Sequence, residues 1–482
     1  MKLQNRSVSW ILTLVLLFGI MVVFGKPVLA AEKMSFKEAV RWGINHNREL
    51  NEIRYNIKEL ENNLKSTEIS NRWRFALNSS GKYIDGLNND EMINLRDNAI
   101  ENGAQLGLGL SASKNMGDNH RINSSLQFTD TEPLKLEDFE DKYTFNININ
   151  SNLYPVVPSE KEINKLQTKN QLKTAKDRLK RQISSKKIEW LNMYLKLSRY
   201  SSQINTNRRK LKEAERVLEE TISQKEIGEA GEMKLLTAKI NIRETEIMLQ
   251  NILDNRDNMK RKLLSSLGLE KGTQLNLTGE EKYYNDIRKK INRIDVDFTD
   301  KKKLFELLNE NNPQLNFLRK RRELTEDKIQ WEKRKNGLKL DTNAGYNYNQ
   351  SSDKDYWEFG FNVSYDIFDG GADDIAFEKV KIELNNIEED YHYSFEQLKI
   401  ELDNLLDQYY SALKRLNVSK MKEKKVRMEL EKAELQLKKG IISDDDRNKQ
   451  VIALKEAETD LKEARADILI KKLQILQFVG LY

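Results

Sequence analysis

The stretch "SDDDR", Ser443 to Arg447, sets three carboxylates behind a hydroxyl and ahead of a guanidinium. At a helix start, Ser443 can accept from a backbone amide, and Asp444, Asp445 and Asp446 suit the positive end of the helix dipole. Like charges held close repel and raise one another's pKa. Lys449 follows Asp446 by three residues and can pair with it on one helix face. A second cluster is built of amides. In "YTFNININSNLY" (Tyr143–Tyr154), Tyr143, Phe145, Ile147, Ile149 and Leu153 alternate with Thr144, Asn146, Asn148, Asn150 and Asn152, with Ser151 the interruption on the apolar side. As a strand this has one greasy and one amide-lined face. In "YWEFGFNVSYDIFDGG" the alternation recurs, with Trp357, Phe359, Phe361, Val363, Tyr365 and Ile367 set against Glu358, Gly360, Asn362, Ser364 and Asp366.

Catalytic chemistry finds little to work with. His46, His120 and His392 are scattered, cysteine is absent, and no nucleotide-binding glycine loop is present. No hydrolytic triad, metal cluster, disulfide or cofactor is expected, and the chain does not read as an enzyme.

The elements that position these residues begin with a leader. Lys2 and Arg6 precede an apolar run, Trp10–Phe24, and "VLA" (Val28–Ala30) ends in a small residue, so residues 1–30 read as a secretory signal. At 15 residues this run is short for a membrane span. Without Lys2, Arg6 and Lys26 the formal charge falls from +6 to +3, with 79 basic against 76 acidic residues, which argues against nucleic acid as a partner.

Residues 159–312 and 314–482 lack proline and permit very long helices. Phe395, Leu398, Leu402, Leu405, Tyr409, Ala412 and Leu416 form a coiled-coil stripe. Subtracting 212 gives Ile183, Lys186, Trp190, Met193, Leu197, Tyr200 and Ile204, with Lys186 the one exception. The same offset relates Gly228 to Gly440 and Gly268 ("LSSLGL") to Gly480 ("LQFVGL"). Upstream, "NHNREL" (45–50) matches "ENNPQL" (310–315) at an offset of 265, so the first half carries 265 − 212 = 53 extra residues. The chain is an internal duplication.

The expected organisation is a signal (1–30), a first repeat (31–270), a linker (271–298) and a second repeat (299–482). The first repeat holds strands 75–83 and 143–153, an extra pair within 105–128, and helices 159–227 and 229–267. The second holds strands 340–348 and 357–368 and helices 372–439 and 443–479. Strands of nine to twelve residues suit a tilted membrane crossing, which needs about 9–11. Sheet edges cannot face lipid, and four or six strands are too few for a wet lumen, so several chains must share one barrel. Asn146, Asn148, Asn362 and Ser364 would then line water.

The duplicated motif "MSFKEAVRWGINHNREL" and "KKKLFELLNENNPQL", the junction "YDIFDGG" (Tyr365–Gly371) and the turns "EIGEAGEMKLLTAK" and "KKGIISDDDRNKQ" resemble the TolC-type outer-membrane efflux family over essentially the whole mature chain. The resemblance implies an α+β membrane protein. A homotrimer would form one transmembrane β-barrel in outer-membrane lipid, continued by a long antiparallel α-helical coiled-coil tunnel in the periplasm. It further implies a passive conduit of tripartite efflux or type I secretion, docked to a periplasmic adaptor (membrane fusion) protein and an inner-membrane pump, for drugs, metals or polypeptides. Ile227, Gly228 and Glu229, with Lys439, Gly440 and Ile441, would be the adaptor-docking tips. Paired aspartates ring the family's pore aperture. Asp446, six residues after Gly440, matches the first, joined by Asp445, while Lys449 stands where the second is expected. The first repeat has Lys234 and Thr237 there. Its first junction, "LYPVVPSEKE" (Leu153–Glu162), lacks the glycine pair, and the extra strand pair leaves 12 or 18 strands open. The competing expectation is a periplasmic coiled-coil adaptor or scaffold that never enters a membrane.

Overall fold

The structure, a computed structural model, describes residues 34–69, 71–84, 103–117, 119–130, 143–270, 272–276, 280–350 and 353–482. The expected signal at 1–30 lies outside them. In chain order the elements are β1 (Met34–Ser35), α1 (Phe36–His46), α2 (Arg48–Ile69), β2 (Arg74–Ile84), β3 (Gly103–Met116), β4 (His120–Asp130) and β5 (Tyr143–Tyr154). They continue with α3 (Glu160–Glu226), α4 (Glu232–Ser266), β6 (Leu275–Asn276), α5 (Glu280–Ile291), α6 (Lys301–Asn311) and α7 (Pro313–Lys335). The chain ends with β7 (Leu338–Asn349), β8 (Lys354–Tyr365), α8 (Ala372–Lys438) and α9 (Asp444–Phe478).

The contacts form two compact units, and both draw on both repeats. One contains the described residues through Asn51 with Ile183–Val296 and Asp407–Gln474; the other contains Glu52–Gln182, Asp297–Leu406 and Ile475–Tyr482. The first holds both helical turns, and the second holds the large sheet.

Each repeat opens with a helix broken at a buried asparagine. Between α1 and α2, Asn47 Nδ2 donates to Ser266 O at 2.8 Å, and Asn47 Oδ1 accepts from Leu50 N at 3.0 Å. Between α6 and α7, Asn312 Oδ1 accepts from Gln314 N and Leu315 N, and Pro313 takes the first helical position, where its missing N–H is not needed. The repeated glycines close against these breaks. Gly268 has φ +67°, and a Cβ there would lie 2.9 Å from His46 O. Gly480 has φ +82°, and its Cβ would lie 2.5 Å from Asn311 Cβ. Thus the motifs that share an offset in sequence also pack as equivalent pairs.

Around the first break, Trp190 is fully buried and donates to Ser266 Oγ at 2.8 Å, and Phe36 stacks on Tyr194 at 4.1 Å. Lys186, the polar residue in the coiled-coil stripe, is buried with its ammonium 3.0 Å from both Glu49 and Glu189. Burial opposes its charge, but bonds to Glu189 and Glu49 outweigh that and raise its pKa. The segment 271–298, expected as a linker, contains α5 and β6, and β6 pairs in parallel with β1.

The sheet is an antiparallel meander in the order β2-β3-β4-β5-β7-β8. The extra pair, β3 and β4, therefore lies inside the sheet, between β2 and β5. The last strand ends at Tyr365 rather than Phe368; Ile367 and Phe368 are almost fully exposed and precede Gly370 and Gly371, both at positive φ. Among the described residues no helix is long and apolar enough to cross a membrane.

Candidate channel lining and helical tips

Strand pairing propagates one side-chain parity across the sheet. The row Ala76–Ser111–Ser125–Asn146–Asn347–Tyr356 runs through all six strands, and Asn123–Asn148–Gly345–Glu358 is its neighbour. Asn362 and Ser364 share this polar face, opposite Asp341 and Lys339. Glycine makes room for amides here: a Cβ on Gly360 would meet Asn343 Oδ1 at 2.2 Å. The opposite face carries Leu77–Leu110–Leu126–Phe145–Tyr348 as one row. It also holds Ile147, Ile149 and the exposed series Trp357, Phe359, Phe361 and Val363, with Phe359 and Phe361 at 77% and 78% exposure. Phe128, Tyr143 and Tyr348 form an aromatic chain near one end of the sheet, at 6.1 and 5.8 Å between rings. Trp73, Tyr154 and Tyr365 stand at the end that joins the helices, all exposed.

Both long helix pairs turn at glycine. Gly228 has φ +79° and Gly440 φ +69°, and nothing lies within 4 Å of a Cβ built on either, so glycine serves backbone angle rather than space. Gly228 N donates to Lys225 O at 3.1 Å and Glu229 N to Gln224 O at 2.7 Å; Gly440 N donates to Leu437 O and Ile441 N to Gln436 O, both at 2.9 Å. This double closure is the Schellman end. Ile227 and Ile441 are left 69% and 63% exposed, and Glu229 and Lys439 are exposed beside them.

After the second turn, Ser443 caps α9. Its Oγ accepts from Asp446 N at 3.2 Å and donates to Asp446 Oδ2 at 2.8 Å, while Lys449 Nζ donates to Asp446 Oδ1 at 3.2 Å. The Ser443 hydroxyl first, then Lys449, holds the Asp446 carboxyl below the usual aspartate value. Asp445 is engaged by Arg216 of α3, which also holds Glu213 at 2.7 Å. Arg216 was not legible as a partner, because nothing in the sequence aligns it with the second tip. In the first repeat Lys234 donates to Gln224 Oε1 at 2.8 Å and Thr237 to Met233 O at 2.8 Å, and no carboxylate stands at either place. The histidines stay apart in local contacts: His46 stacks on Trp42, and His392 sits edge-on to Tyr391. No group of potential metal ligands forms among the described residues.

No family profile matches the chain, and no curated protein matches it. Solved structures do. The outer-membrane protein VceC from Vibrio cholerae is 12% identical, with a TM-score of 0.59 over 92% of this chain and 96% of that one. The outer-membrane channel CmeC of Campylobacter jejuni is 12% identical, at 0.59 over 92% and 85%. A membrane protein from Pseudomonas aeruginosa is 11% identical, at 0.60 over 92% and 93%. The chain has the fold of the TolC-type outer-membrane channels. Within that fold, its two strand-to-helix junctions are built differently. Asp369 accepts from Gly371 N and Asp373 N ahead of α8, whereas Ser159 caps α3 through Glu162 N at 3.2 Å after the proline-rich "YPVVP".

Proposed function

We propose that this protein is the outer-membrane channel-tunnel of an export system, a passive conduit whose driving force comes from an inner-membrane pump. The observation that carries the reading is the sheet with an exposed apolar face and an amide face, flanked by aromatic residues at both ends. From Tyr143 to Tyr154 the strand advances about 36 Å, or about 28 Å along a membrane normal at a 40° tilt, near the roughly 25 Å apolar band of outer-membrane barrels. Its edges, β2 and β8, run in opposite directions and cannot be left in lipid. A ring of three copies pairs β8 of one with β2 of the next and removes both. The lumen would then be lined by Asn146, Asn148, Asn362 and Ser364, and α3, α4, α8 and α9 would wall a periplasmic tunnel.

The partners follow from the same reading: two further copies of the chain, a periplasmic adaptor meeting Ile227–Glu229 and Lys439–Ile441, and the pump behind it. Asp446, with Asp445, is assigned to the aperture. Fractionation tests the membrane part. The protein should resist carbonate and salt, leave the outer membrane only with detergent, and crosslink as a trimer. Release by carbonate would return it to a periplasmic scaffold. Ile441→Trp tests the docking part; it should abolish export while outer-membrane trimers persist, and normal export in that variant would remove the docking assignment.

A further inference from the structure

We infer that the barrel of this protein has 18 strands, with the β3–β4 hairpin built into its wall, and that its backbone ring is about half again as wide as a 12-stranded one. The inference rests on the trimeric channel proposed above. It is supported by strand pairing, by side-chain chemistry and by perimeter.

The first is pairing. β3 contacts β2 from Arg74↔Ser113 to Ile84↔Gly103, and β4 contacts β5 from His120↔Ser151 to Phe128↔Tyr143. No pair joins β2 to β5 directly among the described residues. A hairpin folded over the mouth or into the lumen would leave β2 free to pair with β5.

The second is chemistry. The hairpin alternates in phase with the rest of the wall. Leu108, Leu110, Leu126 and Phe128 lie on the face of Phe145 and Ile147, and Gly109, Ser111, Asn123 and Ser125 lie on the face of Asn146 and Asn148. Leu108 and Leu110 are exposed, as lipid-facing residues of an isolated chain are. The hairpin also turns at the correct end. Met116 pairs with His120, and Gly117 follows Met116 at φ +72°, at the end where β2, β5, β7 and β8 join helices. Short turns belong at the periplasmic rim of such barrels.

The third is perimeter. Four helices per chain, α2, α3, α7 and α8, run directly into or out of the strands. At a spacing of about 9 Å they need about 36 Å of circumference per chain. Strands about 4.8 Å apart and tilted about 40° take about 6.3 Å each, so six span about 38 Å and four only about 25 Å. Six strands match the helices at an ordinary tilt; four would have to lean further. Across three chains the 18-strand ring has a backbone radius of about 18 Å, against about 12 Å for 12 strands, leaving lumen radii of about 12 and about 6 Å after side chains.

The chain has no cysteine, so pairs can be introduced cleanly. Ala76, Ser111, Ser125 and Asn146 form one row on the polar face. In the full-length protein in outer membranes, Ala76→Cys with Ser111→Cys and Ser125→Cys with Asn146→Cys should each form a disulfide on mild oxidation. Ala76→Cys with Asn146→Cys should not. Crosslinking of that third pair in detergent-extractable trimers would overturn the 18-stranded wall and leave the channel reading intact. Absence of trimers, with the first two pairs still bridged, would instead sink the channel reading. In reconstituted trimers, a neutral polyethylene glycol of hydrodynamic radius about 9 Å, between the two lumen radii, should enter from the outer side and lower single-channel conductance. Its exclusion would overturn the wide exit.

Discussion

At Asp446 two opposed influences meet. Within one chain, the Ser443 hydroxyl and the Lys449 ammonium stabilise the ionised carboxyl, so its pKa is depressed and the charge survives as pH falls past the ordinary aspartate value. In a ring of three copies, mutual repulsion acts the other way and raises the titration range. If Asp446 rings the aperture as proposed, Lys449 would tune it through a bond 3.2 Å long. Single-channel recording should find cation preference that declines as pH falls. Lys449→Ala should move the midpoint of that decline to higher pH, because a stabilising cation is lost and the repulsion remains. Asp446→Asn should reduce cation preference and block by multivalent cations, and Lys449→Asp should increase both. Unchanged selectivity in both of these variants would confine Asp446 to capping α9. Asp445 is held to Arg216, so the aperture role proposed for it would require that pair to open.

At the scale of elements, four helix ends share one closure but not one environment. Gly228 and Gly440 adopt left-handed angles in open space, whereas Gly268 and Gly480 adopt them with backbone or Cβ atoms within 3 Å of any added methyl. Gly228→Ala and Gly440→Ala should each cost about 1 kcal/mol from backbone angle alone. Gly268→Ala and Gly480→Ala add a clash that rigid atoms cannot relieve and should cost about 3 kcal/mol. Thermal unfolding in detergent followed by circular dichroism separates the two classes, and equal shifts at all four positions would show that the contacts with His46 and Asn311 decide nothing. These pairings were half legible. The offsets 212 and 265 align the glycines and the asparagine motifs, but periodicity does not reveal that Gly268 closes on the Asn47 break. That contact joins residues more than 200 apart in the chain. The α1–α2 break is not legible in the sequence because the residues around Asn47 keep helical spacing, and the buried bond to Ser266 shows why the helix stops. β3 and β4 extend past the apolar alternation into Ser113–Met116 and His120–Arg121, since the backbone ladder continues where side chains turn polar. In α8 the buried stripe takes Leu406 in place of Leu405, a shift of one residue that a heptad written from sequence cannot fix.

For the whole molecule, the resemblance carried by repeated motifs reached the fold even though solved structures of like fold share only 11–12% of their residues with it. Order and duplication specify topology even where few residues are shared. Assembly is less visible, because a sheet with two open edges states that something must pair with them but not how many copies do. Sidedness is the property of the assembly that one chain exposes most directly. Phe361 and Asn362 are neighbours on β8, midway between Trp357 and Tyr365, and point to opposite faces. Phe361 is 78% exposed on the apolar face, and Asn362 lies opposite Asp341 on the amide face. In a bilayer, Phe361→Arg places a guanidinium at mid-depth in hydrocarbon and should cost about 2–4 kcal/mol, whereas Asn362→Arg enters a wet lumen and should cost little. Asp341, one strand away, can even pair with the new charge. Denaturant titration of refolding into vesicles measures both variants against the parent, with Phe361→Leu as the control for lost aromatic area. Equal costs for the two arginines would mean that both faces meet the same medium, as in a sheet outside the membrane, and a larger cost at Asn362 would mean the barrel is inside out.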